Sequence, residues 1–146
     1  MKTPSSSFPP GRGLVGVVHL APLPGSPRAA GGFDAVYARA AADGRAYAAG
    51  GMDALVVENY GDLPFAAGRA EPHTVAALAL AAARLRADTG LPVGINCLRS
   101  DGVGALGAAA AAEAAFIRVN VFTGAALTDQ GLIQGCAAEV MRYRRA

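Results

Sequence analysis

Leu14–Pro27, LVGVVHLAPLPGSP, is the stretch on which the fold turns. Leu14–Leu20 is a short apolar, β-branched run of the kind that forms a strand buried on both faces. Ala21-Pro22-Leu23-Pro24-Gly25 then ends it, because proline cannot donate to a ladder and the cluster forces a rigid loop. A doubly wound dinucleotide-binding sheet would carry GxGxxG in this first connection, and APLPGSP lacks it.

Working outward, the same strand signal recurs three times. Ala54–Tyr60 (ALVVENY), Leu91–Leu98 (LPVGINCL) and Phe116–Phe122 (FIRVNVF) read as the second, third and fourth strands, with Pro92 tolerated at the start of the third. Helix-forming segments separate them. Phe33–Ala49 runs up to a Gly50-Gly51 stop, and Thr74–Thr89 ends at Gly90. An alanine-dominated helix opens on Asp101 and runs to about Ala115. From Thr128 a fourth helix is expected, because Leu132, Cys136, Val140 and Tyr143 fall on one helical face and Arg142, Arg144 and Arg145 suit a helix C-terminus.

The order βαβαβαβα requires a parallel sheet covered by helices, either a four-stranded doubly wound sheet or half of an eight-stranded barrel. Polar residues separate the two. His19, Glu58, Asn59, Asn96, Arg118 and Asn120 all fall in the C-terminal parts of the strands, and every strand supplies at least one. In a barrel those positions form a single mouth, whereas a doubly wound sheet concentrates its site at one switch point. The expectation is an α/β chain with residues 1–13 as a flexible arm and residues 14–146 as half of a TIM barrel, strands in the order 1-2-3-4 and helices on the outer face.

Composition narrows the function classes. With 146 residues there is room for one domain of modest core. Hydrophobic residues at 53% and charged residues at 16% argue against a disordered chain. Thirteen Lys+Arg against eleven Asp+Glu give a net charge of +2, too near balance for the electrostatic footprint of a nucleic-acid binder. Cys97 and Cys136 lie far apart, so neither a CxxC redox pair nor a cysteine zinc site can be read, and both are expected as buried thiols in a reducing cytoplasm. Met1–Gly13 has no apolar run to serve as a signal peptide or anchor, and Thr74–Ala87 is too short and too alanine-rich to span a bilayer and carries Arg84 and Arg86. A soluble chain with no integral membrane segment and no nucleic-acid partner is expected.

Four ordered segments carry a family resemblance. Gly16–Pro27 (GVVHLAPLPGSP), Val57–Phe65 (VENYGDLPF), Pro92–Asp101 (PVGINCLRSD) and Phe116–Gly131 (FIRVNVFTGAALTDQG) resemble the signature stretches of the BtpA/SgcQ family, over roughly positions 14–145. The resemblance implies a TIM (β/α)8 barrel of the ribulose-phosphate-binding type, here the N-terminal (βα)4 half barrel. It also implies two kinds of role: the founding cyanobacterial member is a thylakoid-associated factor needed for photosystem I accumulation, and others lie beside sugar-metabolism genes with no settled reaction. A complete barrel has about 250 residues, so the phosphate cradle of its seventh and eighth strands lies outside this sequence. A partner second half, or a homo-oligomer, is the expected remedy, since half the strands leave the interior open and two edges bare.

His19 closes the first strand and could act as general acid/base, or be a hydrogen-bonded structural histidine. Glu58 is the carboxylate expected to face Arg118 across the interior, either as an acid/base and anion-clamp arrangement or as a structural ion pair. Asn59, Asn96 and Asn120 are amides suited to the hydroxyls of a sugar-like ligand, or to holding loops. Thr123 and Asp129 flank the fourth connection, where backbone N–H groups near a helix start could receive an anion, while Thr128 reads equally as a helix cap. Asp62 and Asp101 read as loop or cap residues and His73 as a surface or capping residue. Glu58, Asp62, Asp101 and Asp129 have no tight ligand spacing, so no metal and no cofactor is assigned. The function expected is binding or transformation of a small phosphorylated or sugar-like metabolite at the mouth, with a non-catalytic assembly factor or an inactive fragment as alternatives.

Overall fold

In a computed structural model, which describes residues 13–145, four parallel strands alternate with helices. The strands are β1 (Val15–His19), β2 (Ala54–Glu58), β3 (Val93–Asn96) and β4 (Phe116–Arg118), hydrogen-bonded in the order β1-β2-β3-β4. Helices α1 (Phe33–Ala49), α2 (Pro72–Thr89) and α3 (Gly102–Ala112) follow the first three. The expected arm, save Gly13, lies outside the described residues.

Strand alternation divides the sheet into two faces. Val18, Leu55, Val57, Val93 and Ile95 point into a core with Val36 and Ala40 of α1, Leu78, Ala81, Ala82 and Leu85 of α2, and Ala105, Ala108 and Ala112 of α3. Small residues allow close approach in a chain without tryptophan. A Cβ on Gly44 would stand 2.7 Å from Leu85, and one on Gly16 would stand 2.7 Å from the Tyr47 ring. The opposite face carries Val17, Val56, Gly94 and Phe116 in one register row, with the Phe116 ring lying over Gly94.

Helix ends follow local chemistry. Pro72 stands at the start of α2, where its missing N–H costs nothing, and Gly90 ends that helix at φ +69 with its N–H donated to Arg86. Asp101 caps α3 by accepting the Gly104 N–H at 2.8 Å, and also accepts the Ala70 N–H at 2.9 Å.

The chain after β4 departs from expectation. Residues 119–122 leave the sheet, and the helix expected from Thr128 is instead a hairpin of β5 (Ala125–Thr128) and β6 (Gly131–Gln134), followed by α4 (Ala137–Arg145). Two glycines explain it. Gly131 sits at φ +93, outside helical space, and a Cβ on Gly135 would stand 2.7 Å from the Phe122 carbonyl oxygen. Thr128 clips the two-residue turn and caps no helix: its hydroxyl accepts the Gln130 N–H and donates to the Gly131 carbonyl. Only Val140 of the expected apolar stripe is buried, and Leu132 stands exposed in the hairpin. Among the described residues no helix is long and apolar enough to cross a membrane.

Candidate functional site

The last residue of each strand falls on one register line. His19 pairs in register with Glu58, Glu58 with Asn96, and Asn96 with Arg118. All four therefore stand on the face away from α1–α3, at the C-terminal end of the sheet. Glu58 is their hub. Its Oε1 lies 2.8 Å from His19 Nε2, and its Oε2 accepts Asn96 Nδ2 at 2.9 Å and Arg118 at 3.0 Å.

The hub explains how a 4% exposed carboxylate persists among apolar strands. A buried charge needs a partner of opposite charge and donors for its lone pairs, and here both are present. Arg118 reaches past β3 to supply the charge while 53% of its side chain stays exposed. The His19–Glu58 contact turns Nε2 to the carboxylate and leaves Nδ1 outside that contact. Tyr60 stacks on the imidazole with ring centroids 4.5 Å apart. Asn96 is fully buried, and its Oδ1 has no hydrogen-bond partner.

A second polar group lies in the loops beside this row. Asn59 accepts the Leu98 N–H at 2.8 Å and donates to the Leu98 carbonyl at 3.3 Å and to Asp62 at 3.1 Å. Asp62 in turn accepts the Leu23 N–H at 2.8 Å. This buried pair joins the loops after β1, β2 and β3, so the Asn59 amide is engaged within the chain.

The structure therefore unites His19, Glu58, Asn96 and Arg118 and leaves the other expected residues elsewhere. Asn120 and Thr123 are exposed between β4 and the hairpin. Asp129 sits in the hairpin turn, with Arg99 at 3.4 Å, and Arg99 lies over the Phe65 ring. Sequence reading missed Tyr60, whose signal was its place two residues beyond Glu58, and the tie between Asn59 and Asp62, which has no periodic signature. Among the described residues no group of three or more His, Cys, Asp or Glu is placed to hold a metal ion.

This chemistry can hold an anion at Arg118 and exchange a proton at His19. Comparisons with known proteins add lineage. The chain is 51% identical over 132 residues to the photosystem I biogenesis protein BtpA of Synechocystis, covering 90% of this chain and 46% of that protein. It is 47% identical over 131 residues to an uncharacterized protein of Pyrococcus horikoshii, covering 90% of this chain and 50% of that one. An uncharacterized mitochondrial protein of Caenorhabditis elegans is 32% identical over 136 residues, 90% of this chain and 49% of its own length. The chain spans about half the length of the curated relatives it matches. No solved structure matches it. The BtpA family's sequence model matches residues 11–146, and the chain belongs to the BtpA family.

Proposed function

We propose that the protein binds, and can transform, a small phosphorylated or otherwise anionic, hydroxyl-bearing metabolite at the C-terminal end of the parallel strands. The observation that carries this reading is the His19–Glu58–Asn96–Arg118 register row, with a buried carboxylate at its centre and an arginine side chain about half exposed. Arg118 is the anion contact. His19 is the acid/base, its imidazole oriented by Glu58 in the way a buried carboxylate fixes a catalytic histidine. Asn96 is a positioning residue that holds the Glu58 carboxylate from within the sheet. Asn59 is a positioning residue that locks the loops around the row.

Titration with ribose 5-phosphate and with inorganic phosphate, followed through the His19 and Arg118 side-chain resonances, tests this. Saturable shifts that Arg118→Met weakens at least tenfold are expected; no shift, or shifts indifferent to Arg118, would overturn it.

We also propose that the sheet is half of an eight-stranded barrel closed by a second half of like size, for which a second copy serves. Both β1 and β4 are edge strands. Along β4 runs a groove of about 900 Å3 lined by Leu106, Phe116, Ile117, Phe122, Met141 and Tyr143.

A second functional reading, an assembly factor, draws on the name of the Synechocystis relative. Leu127 and Leu132, paired across the hairpin and 86% and 63% exposed, favour it as an apolar contact for another protein. Replacing both leucines with Ser separates the readings: ligand shifts unchanged and a partner lost for the factor, neither altered for the metabolite binder.

A further inference from the structure

We propose that a second cavity, between the loops after β1 and β2 and the start of α2, receives a neutral hydroxyl-bearing group of the polyol or sugar class. The proposal rests on the reading above only in placing a ligand at this end of the sheet. Different residues carry it. The cavity has a volume of about 310 Å3, within the range of small-ligand pockets. Ser26, Asp62, Phe65, His73 and Thr74 are among the residues lining it.

One hydroxyl there is unused. Ser26 Oγ is buried without a hydrogen-bond partner. Thr74, 4% exposed, adds a second hydroxyl-bearing side chain to the lining. Folding has taken the Ser26 hydroxyl out of water with no return inside the chain, which buried polar groups rarely tolerate. A ligand that can both donate and accept supplies what Ser26 lacks.

Charge selects the class of ligand. Asp62 and Glu71 stand in the wall, so a phosphate or carboxylate meets like charge. Asp62 already accepts the Leu23 N–H and the Asn59 amide, one on each oxygen, so its charge needs no ammonium partner. Neutral hydroxyls remain, and the rings of Phe65, Pro27 and Pro64 give an apolar surface for the carbon skeleton.

Shape is fixed by Gly25. It sits at φ +96, and a Cβ there would stand 2.4 Å from His73 Nε2, so the loop backbone rests on the imidazole and makes it a wall of the cavity. Only glycine satisfies both demands.

The test uses the full chain, isotopically labelled, titrated separately with D-ribose and inorganic phosphate while backbone amide resonances are followed. Ribose should shift Ser26, His73 and Thr74 saturably. Thr74→Val and Ser26→Ala should each weaken binding roughly tenfold, the loss of one good hydrogen bond, while Thr74→Ser retains it. The Arg118→Met chain should bind ribose in the cavity unchanged, which separates failure here from failure of the anion site. Shifts at these amides with phosphate alone, ribose shifts untouched by both hydroxyl variants, or no saturable ribose shift would each overturn the proposal.

Discussion

Three donors converge on Glu58 and differ in how far each reaches solvent: Asn96 is fully buried, while the side chains of His19 and Arg118 are about half exposed. A half-exposed arginine lies between a surface ion pair and a buried one. Arg118→Met should therefore cost about 1–2 kcal/mol in urea unfolding, less than the loss of a fully buried partner, because two donors stay on the carboxylate. Glu58→Ala strands the buried Asn96 amide as well and should cost about 2–4 kcal/mol. The reverse ranking would show that Glu58 is not the hub. Cys97 gives a pH prediction. Burial first, then the carboxylates of Asp101, Asp62 and Glu71, push its thiol up to about 12 from 9.0. The unfolded chain gives up that proton sooner than the folded one. The corresponding stability is whole below pH 9.0 and is lost as pH climbs through about 12. Cys97→Ala should flatten that alkaline decline in thermal unfolding, and a thiol reagent at neutral pH should modify Cys136 ahead of Cys97.

The loops after β1 and β2 are held together at Gly61, where a Cβ would stand 2.4 Å from Pro22 N and 2.7 Å from the Leu20 carbonyl oxygen. Backbone atoms cannot swing aside as side-chain ends can. Gly61→Ala should destabilise by about 2–4 kcal/mol, an overpacking cost at the upper end of the usual range. Gly32→Ala, with nothing within 4 Å of the added carbon, is the control and should stay within about 0.5 kcal/mol. Equal effects in denaturation would remove the argument. At this scale the sequence was read well where one rule governs. Apolar β-branched runs gave the four parallel strands, and polar residues at their ends gave the members of the row. Reading failed between Arg118 and Ala137: the fourth helix forms with Val140, Tyr143 and the basic last turn on it, but Leu132 and Cys136 match its period by coincidence and lie before it. Gly131 and Gly135 carried the contrary signal, since a helix through both is weak at two places and a hairpin needs one of them at positive φ. Neither Asn59 with Asp62 nor His19 with Tyr60 was legible as a contact, because such partnerships depend on how loops fold over one another and leave no periodic trace.

For the molecule as a whole, the two sheet edges, unpaired among the described residues, and the exposed Phe122, Met141 and Tyr143 decide the solution behaviour expected of the chain. Sedimentation equilibrium should give a particle of twice the 14.6 kDa chain mass or larger, and Phe122→Glu with Tyr143→Glu should return it to a single chain. A monodisperse single chain that unfolds cooperatively would remove the proposed closure by a second copy. The register row has a further consequence, for how the chain finds its alignment. Strand side chains repeat with a period of two, so if β3 slid by one residue it would turn Asn96 into the alanine-rich helix layer and aim Ile95 at the Glu58 carboxylate. The slipped sheet would bury an amide and a charge without partners, while an all-apolar strand would pay nothing for the same error. The four polar residues thus work as a frame check on the parallel pairing, and a one-residue insertion in any of β1–β4 should abolish folding before it alters binding.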